Sequence, residues 1–272
     1  LLVVAAALGA IAAVLYGYWQ GQNAYDRIGE IALPEGAIDA LGDSDTSDED
    51  GWERADLLAD MAVNWDALFA INPDTVGWVY APGTPINYPV VHSRDNDEYL
   101  YVNFNGEYGN GFQPTYGTPF LMAQNAADFS DAVNFIQAHD MDNGTMFAEI
   151  PKLGYNGTFN EHRIVYLLTP RCNYRLRSIA LVECGADDAI VRTQFSDRDD
   201  FTQYVYGLLG RSIVEADPAG PTPEDAWKLV ILSTCTADGT DNAYFVNFDS
   251  GSVNPADYNV RHGGFSVRLV CP

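Results

Sequence analysis

The sequence predicts a mainly β protein, a barrel or a sandwich, and three observations carry that expectation. Aromatic residues make up 12% of the chain, with 24 Gly and 14 Pro, a composition suited to strands and turns more than to a helical bundle. From Val76 onward the apolar residues fall into short runs cut by turn residues: VGWVYA, YPVVHS, EYLYVNF, GTPFLM, AVNFIQA, RIVYLLT, YRLRSIALVE, KLVILST and AYFVNF. At 272 residues and 47% hydrophobic, the chain is long enough to bury a full core, and the part from about residue 61 to 272 reads as one domain.

The elements follow in order. Residues 1–19, LLVVAAALGAIAAVLYGYW, carry no charge and end in the aromatic cluster Tyr16, Tyr18 and Trp19, the pattern of a transmembrane anchor with an interfacial belt. A cleaved signal peptide is the rival reading, but no small-x-small site follows the apolar run. The flank that would carry a positive-inside signal is absent, so charge does not give the orientation. Residues 20–60 read as an acidic spacer running into the start of an N-terminal helix, with the densest charge from Asp43 to Asp50. Apolar residues at helical spacing in WERADLLADMAVNWDALFAINPDT, closed by Asn72-Pro73, predict a short helix or helix pair. Among the later strands, SDRDDFTQYVYGLLGRSIV predicts one helix over about 196–212, with Ser196 as N-cap and Phe201, Tyr204, Val205 and Leu208 on one face.

Charge excludes one class of partner. The chain has 14 basic against 38 acidic residues, a net charge of −24, which repels phosphate backbones and offers no basic stripe for nucleic acid. Cys172, Cys184, Cys235 and Cys271 are too few and too irregular for a disulfide scaffold, and none has zinc-like spacing. Cys172 and Cys184 lie on neighbouring segments, where a disulfide and two buried free thiols both remain open. Asp140 and Asp142 in HDMDNGTMF lack the further acidic spacing of a calcium loop.

Cys235 closes the β-branched run LVILSTC and enters a Gly/Asp/Asn turn, a position from which a strand end presents a nucleophile. Cysteine chemistry needs a thiolate, a proton-transfer group and a donor for the oxyanion. Of His92, His139, His162 and His262, His139 is the best-placed partner, because it sits where AVNFIQA breaks into a polar Gly turn. The bland alternatives are a buried strand-end thiol and a satisfied turn histidine.

Four blocks, ALFAINPDTVGWVYAPGTPINYPVVHSRDNDEYL (67–100), HDMDNGTMFAEI (139–150), FSDRDDFTQYVYGLLGRS (195–212) and LVILSTC (229–235), resemble the class B sortases in order and spacing. The resemblance implies an eight-stranded sortase-type β-barrel with N-terminal helices and one long helix before the cysteine strand. It implies a membrane-anchored cysteine transpeptidase on the outer face of a Gram-positive cell. Cys235 then corresponds to the nucleophile and His139 to the family's histidine. The implied substrate is a C-terminal sorting signal of the Asn-Pro-x-Thr type, and the acceptor an amine on a peptidoglycan precursor or a pilin. No metal or cofactor is required. The family's arginine opens the strand after the cysteine, but here DNAYFV puts Ala243 in its place. Further departures are Gln137-Ala138 before the histidine, Asp140 after it, and Met122-Ala123 after PFL. Arg261 and Arg268 flank or occupy a strand-like run, 264–271, and are the candidate substitutes if that run closes the barrel. A sortase-like module that binds sorting signals with weakened catalysis is the alternative function. An L,D-transpeptidase is a distant third option, disfavoured by the LSTC strand and the long helix.

Overall fold

The computed structural model describes residues 2–34, 36, 63–108, 116–185, 190–217, 220–235 and 242–249. Eight strands form: β1 (Thr75–Tyr80), β2 (Asn87–His92), β3 (Phe120–Leu121), β4 (Val133–Gln137), β5 (Ile164–Leu168), β6 (Asn173–Gly185), β7 (Leu229–Cys235) and β8 (Asn242–Asp249). They close a barrel in the order β1-β2-β3-β4-β7-β8-β6-β5, with β5 pairing back onto β1. Closure therefore uses β5, and the run 264–271 and its arginines lie outside the described residues. The pairs β2–β3 and β4–β7 are parallel.

Two cores sandwich the wall that carries β7. Alternation sends Val230 and Leu232 into the large core with Trp78, Phe120 and Tyr166. It sends Leu229 and Ile231 the other way, into a cluster with Val133, Phe135, Val182, Phe201, Val205 and Leu208. A strand buried on both faces reads as an unbroken apolar run, as LVIL does.

Among the described residues, five α-helices accompany the strands: α1 (Leu2–Ala32), α2 (Trp65–Ile71), α3 (Glu98–Tyr101), α4 (Glu149–Asn156) and α5 (Arg198–Leu209). The helix expected over 196–212 is α5. Its N-cap is Asp197, not Ser196: the Asp197 carboxylate accepts from the Asp200 N–H at 2.9 Å. Ser196 instead donates its N–H to the Asp200 carboxylate at 2.9 Å. With Arg192 on the same oxygen, that carboxyl is held down to about 2.

EYLYVNF, expected as a strand, opens as helix α3. The Asp95 carboxylate accepts from the backbone N–H groups of Asp97 and Glu98 at 3.0 and 2.9 Å, so local capping turns the chain before a ladder can form. Neither Cys172 nor Cys184 is in a disulfide, and both are buried. They stand just before and near the end of the single strand β6, about 40 Å apart along an extended chain, so the two cannot bridge.

Helix α1 extends beyond the boundary expected at Trp19. Its first half is exposed, Val3 at 82% and Leu8 at 62%, and is long and apolar enough to cross a membrane. Its second half packs on the barrel through Tyr25, Ile28 and Ala32. Tyr25 donates to the Gly117 carbonyl, and its ring meets those of Tyr88 and Tyr116. Part of the segment expected as a spacer is therefore helix bound to the domain. Most of 35–62, including the acidic run, lies outside the described residues.

Candidate active site

The parallel ladder between β4 and β7 sets the site. Its register pairs Val133 with Leu229 and continues one-for-one to Gln137 with Ser233. Past the end of β4, the Ala138 N–H still donates to the Ser233 carbonyl at 3.1 Å. His139 and Cys235 each lie two residues beyond the last registered pair of this ladder, Gln137 with Ser233. On the other side of β7, Cys235 pairs with Ala243 of β8, and Ala243 pairs in turn with Cys184 of β6. Cys235 and Ala243 are thus paired directly, with His139 two residues past the end of the neighbouring strand β4.

His139 is half-buried, and its Nε2 lies 2.6 Å from the Leu100 carbonyl oxygen. A carbonyl can only accept, so Nε2 carries the proton and Nδ1 is the acceptor in the neutral ring. The loop that follows is closed by the Phe147 N–H donating to the His139 carbonyl at 2.9 Å and by a bridge between Asp140 and Met146. Met146 holds φ +55°, a left-handed conformation rare for a residue with a side chain. Its N–H donates to the Tyr88 hydroxyl at 3.0 Å, which fixes the turn. Burial pushes the Tyr88 phenol up to about 12, against the lowering effect of that N–H.

The Leu100 carbonyl is offered by α3, and α3 is pinned by Tyr99. The Tyr99 hydroxyl donates to the Asp74 carboxylate at 2.8 Å, and Gly117 at φ +60° passes so close to the Tyr99 and Leu100 carbonyls that a Cβ there would sit 2.5 Å from one of them. These supports were missed in the sequence. A main-chain carbonyl has no residue signature, and the aromatic spacing of EYLY imitates a strand.

The other histidines are elsewhere. His92 Nε2 is bound to the Asn125 carbonyl at 2.8 Å, and Asn125 in turn donates to the Val133 carbonyl, at the opposite end of β4 from His139. His162 Nδ1 meets the Pro82 carbonyl at 3.1 Å. His262, Cys271, Arg261 and Arg268 lie outside the described residues. Among the described residues, no three His, Cys, Asp or Glu side chains gather as a metal site.

No family model matches the chain. It is 28% identical over 171 residues to sortase B of Listeria monocytogenes, a match covering 63% of this chain and 66% of that protein. With sortase B of Staphylococcus aureus the identity is 25% over 171 residues, covering 63% and 67%. The match thus spans about two thirds of each relative's length. Among solved structures, sortase B of Clostridium perfringens superposes with a TM-score of 0.62 at 28% identity, over 68% of this chain and 98% of that one. The barrel, the helix before the cysteine strand and these matches agree: in sequence and in fold the chain is similar to the class B sortases.

Proposed function

We propose that the chain is a membrane-anchored cysteine transpeptidase that acts on C-terminal sorting signals outside the cell. The observation that supports this reading is the parallel β4–β7 register, whose last pair, Gln137 with Ser233, lies two residues before His139 on one chain and two before Cys235 on the other. The Cys235 thiolate attacks the carbonyl carbon that follows Thr in an Asn-Pro-x-Thr type signal, and the carbonyl electrons move onto oxygen. The oxyanion collapses, the peptide C–N bond breaks, and His139 delivers to the departing amine the proton that its Nδ1 took from the Cys235 thiol. An acceptor amine on a peptidoglycan precursor or pilin then attacks the thioester carbonyl, His139 Nδ1 takes up its proton, and the C–S bond breaks to release Cys235 as the thiolate. The Nε2 hydrogen bond to Leu100 keeps the ring oriented through both half-reactions.

Ala243 supports a second reading. It stands directly opposite Cys235, where it supplies no donor to the oxyanion, so a module that holds sorting signals and turns over slowly fits the same fold. Thioester capture separates the two. The chain is incubated with Asn-Pro-x-Thr-x and Leu-Pro-x-Thr-x peptides and read by intact mass. A transpeptidase gives an acyl adduct that disappears in Cys235→Ala and His139→Ala. Peptide binding with no adduct establishes the recognition module and overturns the enzyme. In an adduct-forming protein, Arg261→Ala and Arg268→Ala show whether either guanidinium serves in place of residue 243.

A further inference from the structure

Helix α1 joins the apolar segment to the site without a break, and the join has a fixed height. Leu2 to Trp19 spans 18 residues of continuous helix, about 27 Å at 1.5 Å per residue, close to the thickness of a bilayer's hydrocarbon core. Tyr16 and Trp19, 55% and 61% exposed, stack at its end as an interfacial aromatic pair does. The barrel takes hold of the helix at that same level. The Tyr116 hydroxyl donates to the Tyr18 carbonyl at 2.6 Å, and the two rings meet edge to face. Asn143 donates to the Tyr116 hydroxyl at 2.9 Å, and Asp142 is near enough to Tyr18 to interact with it electrostatically. Asn143 and Asp142 belong to the loop that begins at His139 and is closed by Phe147.

We infer that the rim of the active site, the 139–147 loop, rests on the lipid headgroup surface, held there by the Tyr18–Tyr116–Asn143 contact with the anchor helix. The inference rests on the reading of α1 as a membrane anchor. A domain swinging on a flexible spacer would sample many heights. Here the helix that leaves the bilayer is the helix that packs on the barrel, so the site keeps one height and faces polypeptide emerging beside α1. The partner surface is lipid, and a chain of net charge −24 is held to it by the anchor and its aromatic pair, not by attraction to anionic headgroups. The membrane-distal end is marked as well. The Asn64 N–H, just before α2, donates to the Ala32 carbonyl at 2.8 Å, which is 14 residues and about 20 Å further along α1 from Tyr18.

The test places a fluorophore on the full chain in phosphatidylcholine nanodiscs that carry spin-labelled lipid, either in the headgroup or in the acyl chain. Single attachment sites are Leu8→Cys, Asp142→Cys and Ala70→Cys, in a Cys235→Ser, Cys271→Ser background; Cys172 and Cys184 are buried. Asp142 and Ala70 are exposed, so neither substitution disturbs the core. The expected result is quenching at Leu8 by the acyl-chain label, several-fold stronger quenching at Asp142 than at Ala70 by the headgroup label, and little at Ala70 by either. Quenching at Leu8 with Asp142 no more quenched than Ala70 overturns the inference while leaving the anchor intact. Absence of quenching at Leu8 removes the anchor reading, and this inference with it.

Discussion

In the variant Ala243→Arg a guanidinium grows from the position that faces Cys235 across the β7–β8 ladder. Directly paired residues of an antiparallel ladder have Cα atoms about 4.5–5.5 Å apart and side chains on one face, so the new fork starts beside the thiol. A missing oxyanion donor typically costs about 10²–10³ in rate, about 2.7–4 kcal/mol of transition-state stabilisation, and that is the gain expected in thioester formation. The opposing cost comes from the other neighbour. Residue 243 also pairs with Cys184, which is buried, and overpacking such a site costs roughly 1–3 kcal/mol of stability unless the arginine turns toward the strand end. The assay is time-resolved intact-mass detection of the acyl adduct at fixed peptide, with thermal unfolding measured on the same sample. Ala243→Lys is the control, since a point charge lacks the planar fork and should gain less. A folded Ala243→Arg protein that forms thioester no faster than the parent refutes the argument that residue 243 is where oxyanion stabilisation was lost.

Two further expectations concern stability. Burial raises the Tyr88 phenol to about 12 in the folded chain from an ordinary value near 10, so between those values the unfolded chain binds fewer protons. Stability is then constant below pH 10 and falls as the pH rises from 10 towards 12, by an amount on the order of 2 kcal/mol. Denaturant midpoints across that window, compared with Tyr88→Phe, check it, and parallel curves would remove Tyr88 as the cause. Arg163 is 6% exposed and donates to Asn160, to the Ser178 carbonyl and to the Glu215 carbonyl, beside the Asp217 carboxylate that Arg177 also holds. Arg163→Met should lose about 3 kcal/mol in chemical denaturation, by freeing the return from α5 to β7. Far less than 1 kcal/mol would mean that Arg177 alone secures Asp217.

The sequence made some of this legible and hid the rest for physical reasons. LVILST and AVNFIQA could be read because β7 and β4 are buried on both faces and broken by turn residues, so apolar run and strand coincide. That β4 lies beside β7, with Gln137 paired to Ser233, became visible only with the parallel register, a pairing across nearly a hundred residues that no local pattern encodes. EYLY deceived because its aromatic spacing suits a strand, while the Asp95 turn that decides the matter lies three residues upstream of Glu98. The reach of α1 was hidden by polarity. Gln20, Gln22, Asn23 and Asp26 look like the start of a spacer, yet Tyr25, Ile28 and Ala32 recur at helical spacing among them and find a barrel to pack on.

The arrangement also explains how two functions fit one fold. The β4–β7 register lays the ends of the two strands side by side, and the Leu100 carbonyl holds the His139 imidazole; neither uses a side chain at residue 243. Under the proposed function, a chain with Ala at 243 in place of arginine keeps its barrel and the position of Cys235, because those depend on backbone hydrogen bonds and on the apolar faces of β4 and β7. What it loses is stabilisation of charge on the carbonyl oxygen, a quantity that exists only while the bond is being remade. On the proposed transpeptidase reading, the change from Arg to Ala slows the chemical step more than it weakens peptide binding. Binding and acylation measured on one preparation should accordingly separate, and any guanidinium that has replaced the missing one must reach the carbonyl oxygen from outside the β7–β8 ladder.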